Sequence, residues 1–379
     1  MDETKSVPKL RFSGFRDDWE SMKIGDCLDV KYGKDYKHLN EGQYPLLGTG
    51  GVMEYVDDFL YSGESILIGR KGTIDKPKYI NDSFWTVDTL FYTEIKKQFP
   101  KFLFYCISNI NWLKYNEASG VPSLSANNIK SVKINVPSLN EQKKIANFIT
   151  SIDYKIELLE KKYESYVNFK KYLMQQIFAQ KLRFADCTDE WKVCKFKDLG
   201  TVKSGVGFSN KYQGHLDLDY NVYKVSDMNL KGNEKVMTKS NNTIDDSILN
   251  DMGAKLIREP SIIFAKVGEA IFLNRKRIAK PHFLIDNNMM AFSPNNNVDL
   301  EFMYYLTTSI NFGKYAQIGA LPSYNASDIY SIKCKIPPLE EQKRIGNLLS
   351  LADNKITNCS NQINNVLNFK RGLLQQMFI

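Results

Sequence analysis

Asn140–Phe148 reads NEQKKIANF, and Glu340–Leu348 reads EEQKRIGNL. A 379-residue chain that writes nearly the same nonapeptide twice, 200 positions apart, discloses its architecture before its chemistry, because internal repetition marks a duplicated structural unit. At that constant offset, residues 139–178 and 339–378 share 16 identities in 40, including Glu141/Glu341, Gln142/Gln342, Asp153/Asp353 and Lys170/Lys370. Upstream, GVPSLSANNI from Gly120 answers ALPSYNASDI from Ala320 at the same offset. KLRF with Trp19 answers KLRF from Lys181 with Trp191, at an offset of 172. The difference of 28 gives the second copy about that many extra residues, mostly between Asp198 and Glu259.

The repeated stretch predicts a long helix. Ile145, Ile149, Ile152, Ile156, Leu159, Tyr163, Tyr166, Leu173 and Ile177 step by fours and threes, with Lys170 as one polar tooth in an a/d seam. The second copy repeats it as Ile345, Leu349, Ala352, Ile356, Cys359, Ile363, Val366, Leu373 and Met377, with Lys370 as the tooth. Ser138 with Glu141 suggests a capping box, and Pro338 replaces that serine in the second copy. Each helix would span roughly 60 Å at about 1.5 Å per residue. An apolar stripe of that length must be covered, and the other copy is the cover at hand. Connectivity then makes the pair antiparallel, a bar with a globular head at either end.

The heads alternate short apolar runs with Gly, Asn and Asp turns, as in ESILIGRKGTI, FWTVDTLFYT, PSIIFAKVGEAIF and VKINV, which read as strands. Each also holds one expected helix, KFLFYCISNINWLKY from Lys101 and EFMYYLTTSINFGKY from Glu301. The fold class is therefore α+β: two globular domains separated by two long helices forming an antiparallel coiled coil, a pseudo-twofold tandem repeat. The boundaries are 1–136 for the first head, 137–181 for the central helix, 182–336 for the second head and 337–379 for the C-terminal helix.

Composition narrows the function. A 43% hydrophobic, 12% aromatic chain is globular, and no apolar run reaches membrane-span length, so no membrane partner is expected. MDETKSVPKL lacks a signal-peptide core. Six cysteines without a CxxC pair and three scattered histidines point to reduced thiols, no metal site and a cytoplasmic setting. The net charge of +8 permits a polyanion partner without demanding one. No methyltransferase N/D-P-P-Y/F motif occurs, LLGTGG from Leu46 has no following GKS/T, and Asp88 with Glu94 and Lys96 is a short chance-grade nuclease pattern. A binding protein with no catalytic residues and no cofactor of its own is the expectation.

The candidate contacts are basic, aromatic-laced turns: Arg70, Lys71, Lys76 and Lys78 in the first head, and Lys211, Tyr212, Lys266, Arg275, Lys276 and Arg277 in the second. Such side chains place a protein on phosphates, while neighbouring loops read base edges. A solvated charged face explains any one of them equally well. The turns at Pro122-Ser123 and Pro322-Ser323 are expected to be scaffold that joins head to bar.

IPPLEEQKRI from Ile336 and FKRGLLQQMF from Phe369, echoed by VPSLNEQKKI and FKKYLMQQIF, resemble the specificity (S) subunit of Type I restriction-modification systems across essentially the whole chain. The resemblance implies two target recognition domains that each read half of an interrupted, asymmetric double-stranded DNA site, with the helices as a ruler between them. It also implies two adenine-N6 methyltransferase (M) subunits that hold S-adenosylmethionine, and two restriction (R) subunits that use ATP and Mg2+. Gln142, Asn147, Asp153, Gln175, Gln342, Asn347, Asp353 and Gln375 are then candidates for docking those partners. A coiled-coil adaptor for proteins and a lone DNA-modifying enzyme are the alternatives from other classes.

Overall fold

The computed structural model describes residues 7–317, 319 and 321–378; residues 1–6 of the first head and Ala320 of the repeated decapeptide lie outside them. The seam folds as read. One continuous helix covers Leu139–Phe178 and a second covers Leu339–Met377. The chain divides into two compact units, residues 1–161 with 360–379, and residues 162–359, so each unit takes part of both helices.

In the first unit a mixed six-stranded sheet runs in the order 28–32, 90–95, 61–69, 78–86, 41–48, 51–56. All its pairings are antiparallel except that of Glu41–Gly48 with Lys78–Thr86. LLGTGG is the tip of a β-hairpin, with Gly48 opposite Gly51 and only Thr49-Gly50 between them, which disposes of the nucleotide-loop likeness. A separate ladder pairs Glu20–Lys23 with Lys133–Val136 and closes the head where the central helix begins. Ile145, Ile149, Ile152 and Ile156 bury with Leu373, Met377 and Phe378 against Trp19 and Phe102.

The second unit repeats the plan. Its ladder pairs Lys192–Lys195 with Lys333–Ile336, and a five-stranded sheet runs 200–204, 289–294, 261–265, 276–279, 236–237. The extra residues supply two strands, Tyr220–Tyr223 and Thr243–Ile244, which join Phe283–Ile285 in a small three-stranded sheet, and a helix at Asp246–Asp251. Leu173, Ile177, Ile345 and Leu349 bury with Trp191 and Phe302.

The expected head helices are shorter than read. Pro100–Ser108 and Leu300–Ser309 are α-helical, but the chain breaks at the following asparagines and re-forms as 3-10 turns at Trp112–Tyr115 and Phe312–Tyr315. Asn311 shows the cause, since its side-chain oxygen accepts the Gly313 N–H and so competes with helix continuation. Two unexpected short helices, Ala126–Ser131 and Ala326–Tyr330, are each capped by a side chain, Ser125 accepting from Asn128 N and Asn325 from Asp328 N.

Candidate nucleic-acid interface

The repeated motifs form an internal clasp in each unit, which frees the loops to differ. Arg11 of the first KLRF donates through Nε (2.7 Å) and Nη2 (2.8 Å) to Glu141, whose carboxylate is buried. Arg183 of the second KLRF does the same to Glu341 at 3.0 and 2.8 Å. Each carboxylate raises its arginine's pKa through those hydrogen bonds. Glu141 thus gives both oxygens to Arg11 in a bidentate, charge-assisted pair.

Gln142 and Gln342, each only 1% exposed, are corrected from docking residues to internal connectors. Gln142 accepts from Phe99 N at the start of the first head's helix and donates to Pro137 O. Gln342 accepts from Asp299 N and donates to Pro337 O. Asp153 and Asp353 likewise turn inward. In the first unit Asp153 accepts from Tyr105 Oη (2.7 Å) and pairs with Lys370 (2.5 Å). In the second, Asp353 accepts from Tyr305 Oη (2.5 Å) and pairs with Lys170 (2.5 Å). The polar tooth of each helix therefore pairs with the aspartate of the other copy. Asn147, Asn347, Gln175 and Gln375 remain exposed on the helices. Phe169 and Phe369, matched at the 200-residue offset, are exposed as well, and a large aromatic residue off the seam is their signal in the sequence.

The basic turns sit where strands leave the cores. In the first head the strand Tyr61–Gly69 runs into Arg70-Lys71-Gly72. Both Arg70 N and Lys71 N donate to Thr89 O, and the Arg70 guanidinium reaches Asp88 O (3.1 Å) while lying 5.4 Å from the Tyr32 ring. Lys71 and Ser123 form an antiparallel bridge, with Gly72 N donating to Pro122 O (2.8 Å) and Leu124 N to Arg70 O (2.9 Å). Lys76 and Lys78 are exposed farther along the same turn.

The second head repeats the construction. Ser261–Ala265 runs into Lys266-Val267-Gly268, Val267 bridges Ser323, Gly268 N donates to Pro322 O (2.8 Å) and Tyr324 N to Lys266 O (3.1 Å). The prolyl turns, expected to join head to helix, instead brace the basic turns.

The other candidates scatter. Lys211 pairs with Asp251 at 3.0 Å, and Tyr212 Oη also donates to Asp251. Those bonds, Tyr212's first, pull the Asp251 carboxyl below its ordinary value. Arg275 donates to Asn229, and Arg277 donates to Met228 O and Lys276 O. Lys276 is a correction. It is 2% exposed, its ammonium 4.0 Å from the Phe312 ring and hydrogen-bonded to Ile310 O and Asn274, and burial lowers its pKa to about 7. Strand alternation sends it inward with Ile278, so it reaches no phosphate.

Glu94 and Lys96 of the nuclease-like spacing are drawn into separate ion pairs. Lys96 pairs with Asp29 (2.8 Å) and Glu94 with Lys31 (3.2 Å), which dissolves the nuclease-like pattern. Among the described residues no cluster of three or more His, Cys, Asp or Glu could hold a metal, and no helix is long and apolar enough to cross a membrane.

Comparison with known proteins supplies the family. The profile for the Type I restriction modification DNA specificity domain matches residues 16–165 and again 188–368. The Type I restriction enzyme MjaVIII specificity subunit of Methanocaldococcus jannaschii is 24% identical, covering 90% of this chain and 87% of its own. The crystal structure of a Type I restriction-modification S subunit from M. genitalium superposes with a TM-score of 0.64 at 17% identity, over 98% of this chain and 99% of that one. A chain from a structural study of complex assembly and conformational transition of the type I R-M system gives 0.59 at 12% identity, over 95% and 97%. Matched twice, over most of its length, the chain belongs to the family of Type I restriction-modification DNA specificity proteins.

Proposed function

We propose that this chain is the non-catalytic specificity subunit of a cytoplasmic Type I restriction-modification assembly. In this reading each head takes one half of an interrupted, asymmetric double-stranded DNA site. Two M subunits, carrying S-adenosylmethionine, then methylate adenine N6, and two R subunits, using ATP and Mg2+, cleave unmodified DNA. The chain binds none of those cofactors itself. Its helices set the distance between half-sites.

One observation carries the reading. The clasps are duplicated residue for residue, Arg11–Glu141 with Arg183–Glu341 and Tyr105–Asp153–Lys370 with Tyr305–Asp353–Lys170. The sheets they support differ in strand number and order. A frame built twice suits two copies of one partner, and unlike heads suit two unlike half-sites. Exposed Asn147, Asn347, Gln175 and Gln375, with Phe169 and Phe369, are the docking residues of that frame. Arg70, Lys71, Lys76, Lys78 and Lys266 are the phosphate contacts of the heads.

The test maps N6-methyladenine across the genome with and without this gene. Loss at one interrupted, asymmetric motif supports the reading. Unchanged methylation, with the partner methyltransferase expressed, favours a protein adaptor instead. A steep fall in DNA affinity with salt separates those two in vitro, since phosphate contacts release counterions.

A further inference from the structure

Val121 is 65% exposed immediately before Pro122-Ser123, and Leu321 is 61% exposed immediately before Pro322-Ser323. One exposed apolar side chain needs no explanation. Two at matched places, in heads whose sheets otherwise differ, ask for one, and core packing does not supply it. Each precedes a prolyl turn braced against a glycine turn by the same 2.8 Å hydrogen bond, Gly72 N to Pro122 O or Gly268 N to Pro322 O. Both glycines have positive φ, +89° and +81°, where side chains are disfavoured, and in the second head Leu321 Cδ1 lies 3.7 Å from where a Gly268 side chain would begin. A cation stands at the matched position before each turn, Arg70 in one head and Lys266 in the other, with Lys71 beside Arg70.

The surroundings differ between heads in the way a reading edge should. In the first head the hairpin tip adjoins the turn. Thr49 Oγ1 lies 3.6 Å from where a Gly72 side chain would begin, and Lys78 Nζ lies 3.6 Å from the same point on Gly51. Val52 and Met53, each 54% exposed, follow that tip. Among the described residues of the second head no such hairpin adjoins the turn. The excursion between strands 261–265 and 276–279 instead exposes Phe272 (52%) and Leu273 (57%).

We propose that this pair of braced turns is the groove-contacting edge of each head, an inference that rests on the DNA-specificity reading above. The cation seats the turn on the phosphates and the glycine lets the backbone approach. Val121 or Leu321 makes the apolar contact with a base edge, the kind that distinguishes a thymine methyl or opens a base step. Charge favours duplex DNA as the occupant: Arg70, Lys71, Lys76 and Lys78 stand against the single acid Asp75 in the stretch 70–78. The hairpin and the Phe272-Leu273 excursion supply the half-site difference.

The experiment uses the full-length chain with its methyltransferase partner and a duplex carrying the mapped motif, plus two duplexes with one half-site scrambled. Val121→Asp and Leu321→Asp should each lower affinity about tenfold, the size of one lost base contact. Val121→Ala and Leu321→Ala should fall between, with melting temperatures unchanged. Each aspartate variant should become indifferent to scrambling of one half-site only, a different one for each. A benzophenone side chain at 121 or 321 should cross-link to opposite half-sites, a readout that survives any folding defect of the aspartate variants. Wild-type-like binding by both aspartate variants, or cross-links to no half-site or to the same one, overturns the proposal. If the wild-type assembly binds no duplex even at low salt, the DNA reading fails, and this inference with it.

Discussion

Arg11→Ala should be among the most damaging single substitutions in the first unit. Glu141 keeps 1% of its side chain exposed and spends both oxygens on Arg11, so the truncation strands an ionised carboxylate away from water. Breaking a buried pair by removing one partner costs about 3–5 kcal/mol. In a unit of about 180 residues each kcal/mol lowers the melting temperature by about 2–4 °C, which predicts a fall of roughly 6–20 °C. Arg183→Ala should cost about 1 kcal/mol less, because Glu341 keeps the Trp191 Nε1 hydrogen bond (3.3 Å) and Arg183 itself is 21% exposed. Arg11→Met with Glu141→Leu should recover most of the loss, since no charge is left stranded. The assay is thermal melting followed by fluorescence in a Trp191→Phe background, where Trp19, Trp85 and Trp112 report the first unit alone. A fall below about 3 °C for Arg11→Ala, or a double variant as unstable as the single, would refute the clasp.

Lys276, with its folded pKa lowered to about 7, binds fewer protons in the native state than in the unfolded one between pH 7 and its ordinary value. It should therefore destabilise the second unit fully below about pH 7, with stability rising as pH climbs toward 10; Lys276→Met should abolish that slope in denaturation curves across pH. Lys370→Ala should cost about 1–2 kcal/mol in urea unfolding and Lys170→Ala less, because Lys235 backs Asp353 at 3.8 Å while no second cation stands within ion-pairing distance of Asp153 among the described residues. Seven residues added to both helices, after Lys161 and after Cys359, should lengthen each helix by about 10 Å, about three base pairs. Methylome mapping should then show a longer gap between unchanged half-sites, and an unchanged gap would end the ruler idea.

The helices were legible because a heptad pattern is local: ten positions announce themselves without reference to anything distant. Lys170 stood out in that pattern, but its partner Asp353 lies 183 residues away and could be found only by folding the chain. Arg11 and Glu141 were visible as members of two repeated motifs. Their pairing was not, because nothing in either motif names the other. The Arg275-Lys276-Arg277 run misled because it was read as composition. Strand parity already placed Lys276 on the face of buried Ile278. Ala126–Ser131 and Ala326–Tyr330 are too short to show a helical period, and only their capping residues could have marked them.

Because the first unit is completed by residues 360–379 while the second is contiguous from 162 to 359, the order of manufacture is inverted. On a ribosome working at about 5–20 residues per second, the first head waits roughly 10–40 s between emerging and receiving Lys370, Leu373 and Met377. The later-made unit is whole before the earlier one. A nascent chain interrupted anywhere in that interval carries an open N-terminal unit whose core lacks the cover of Leu373, Met377 and Phe378. Such a fragment presents apolar surface of the kind chaperones and proteases recognise, so the first unit stays open to them until residues 370–378 join it.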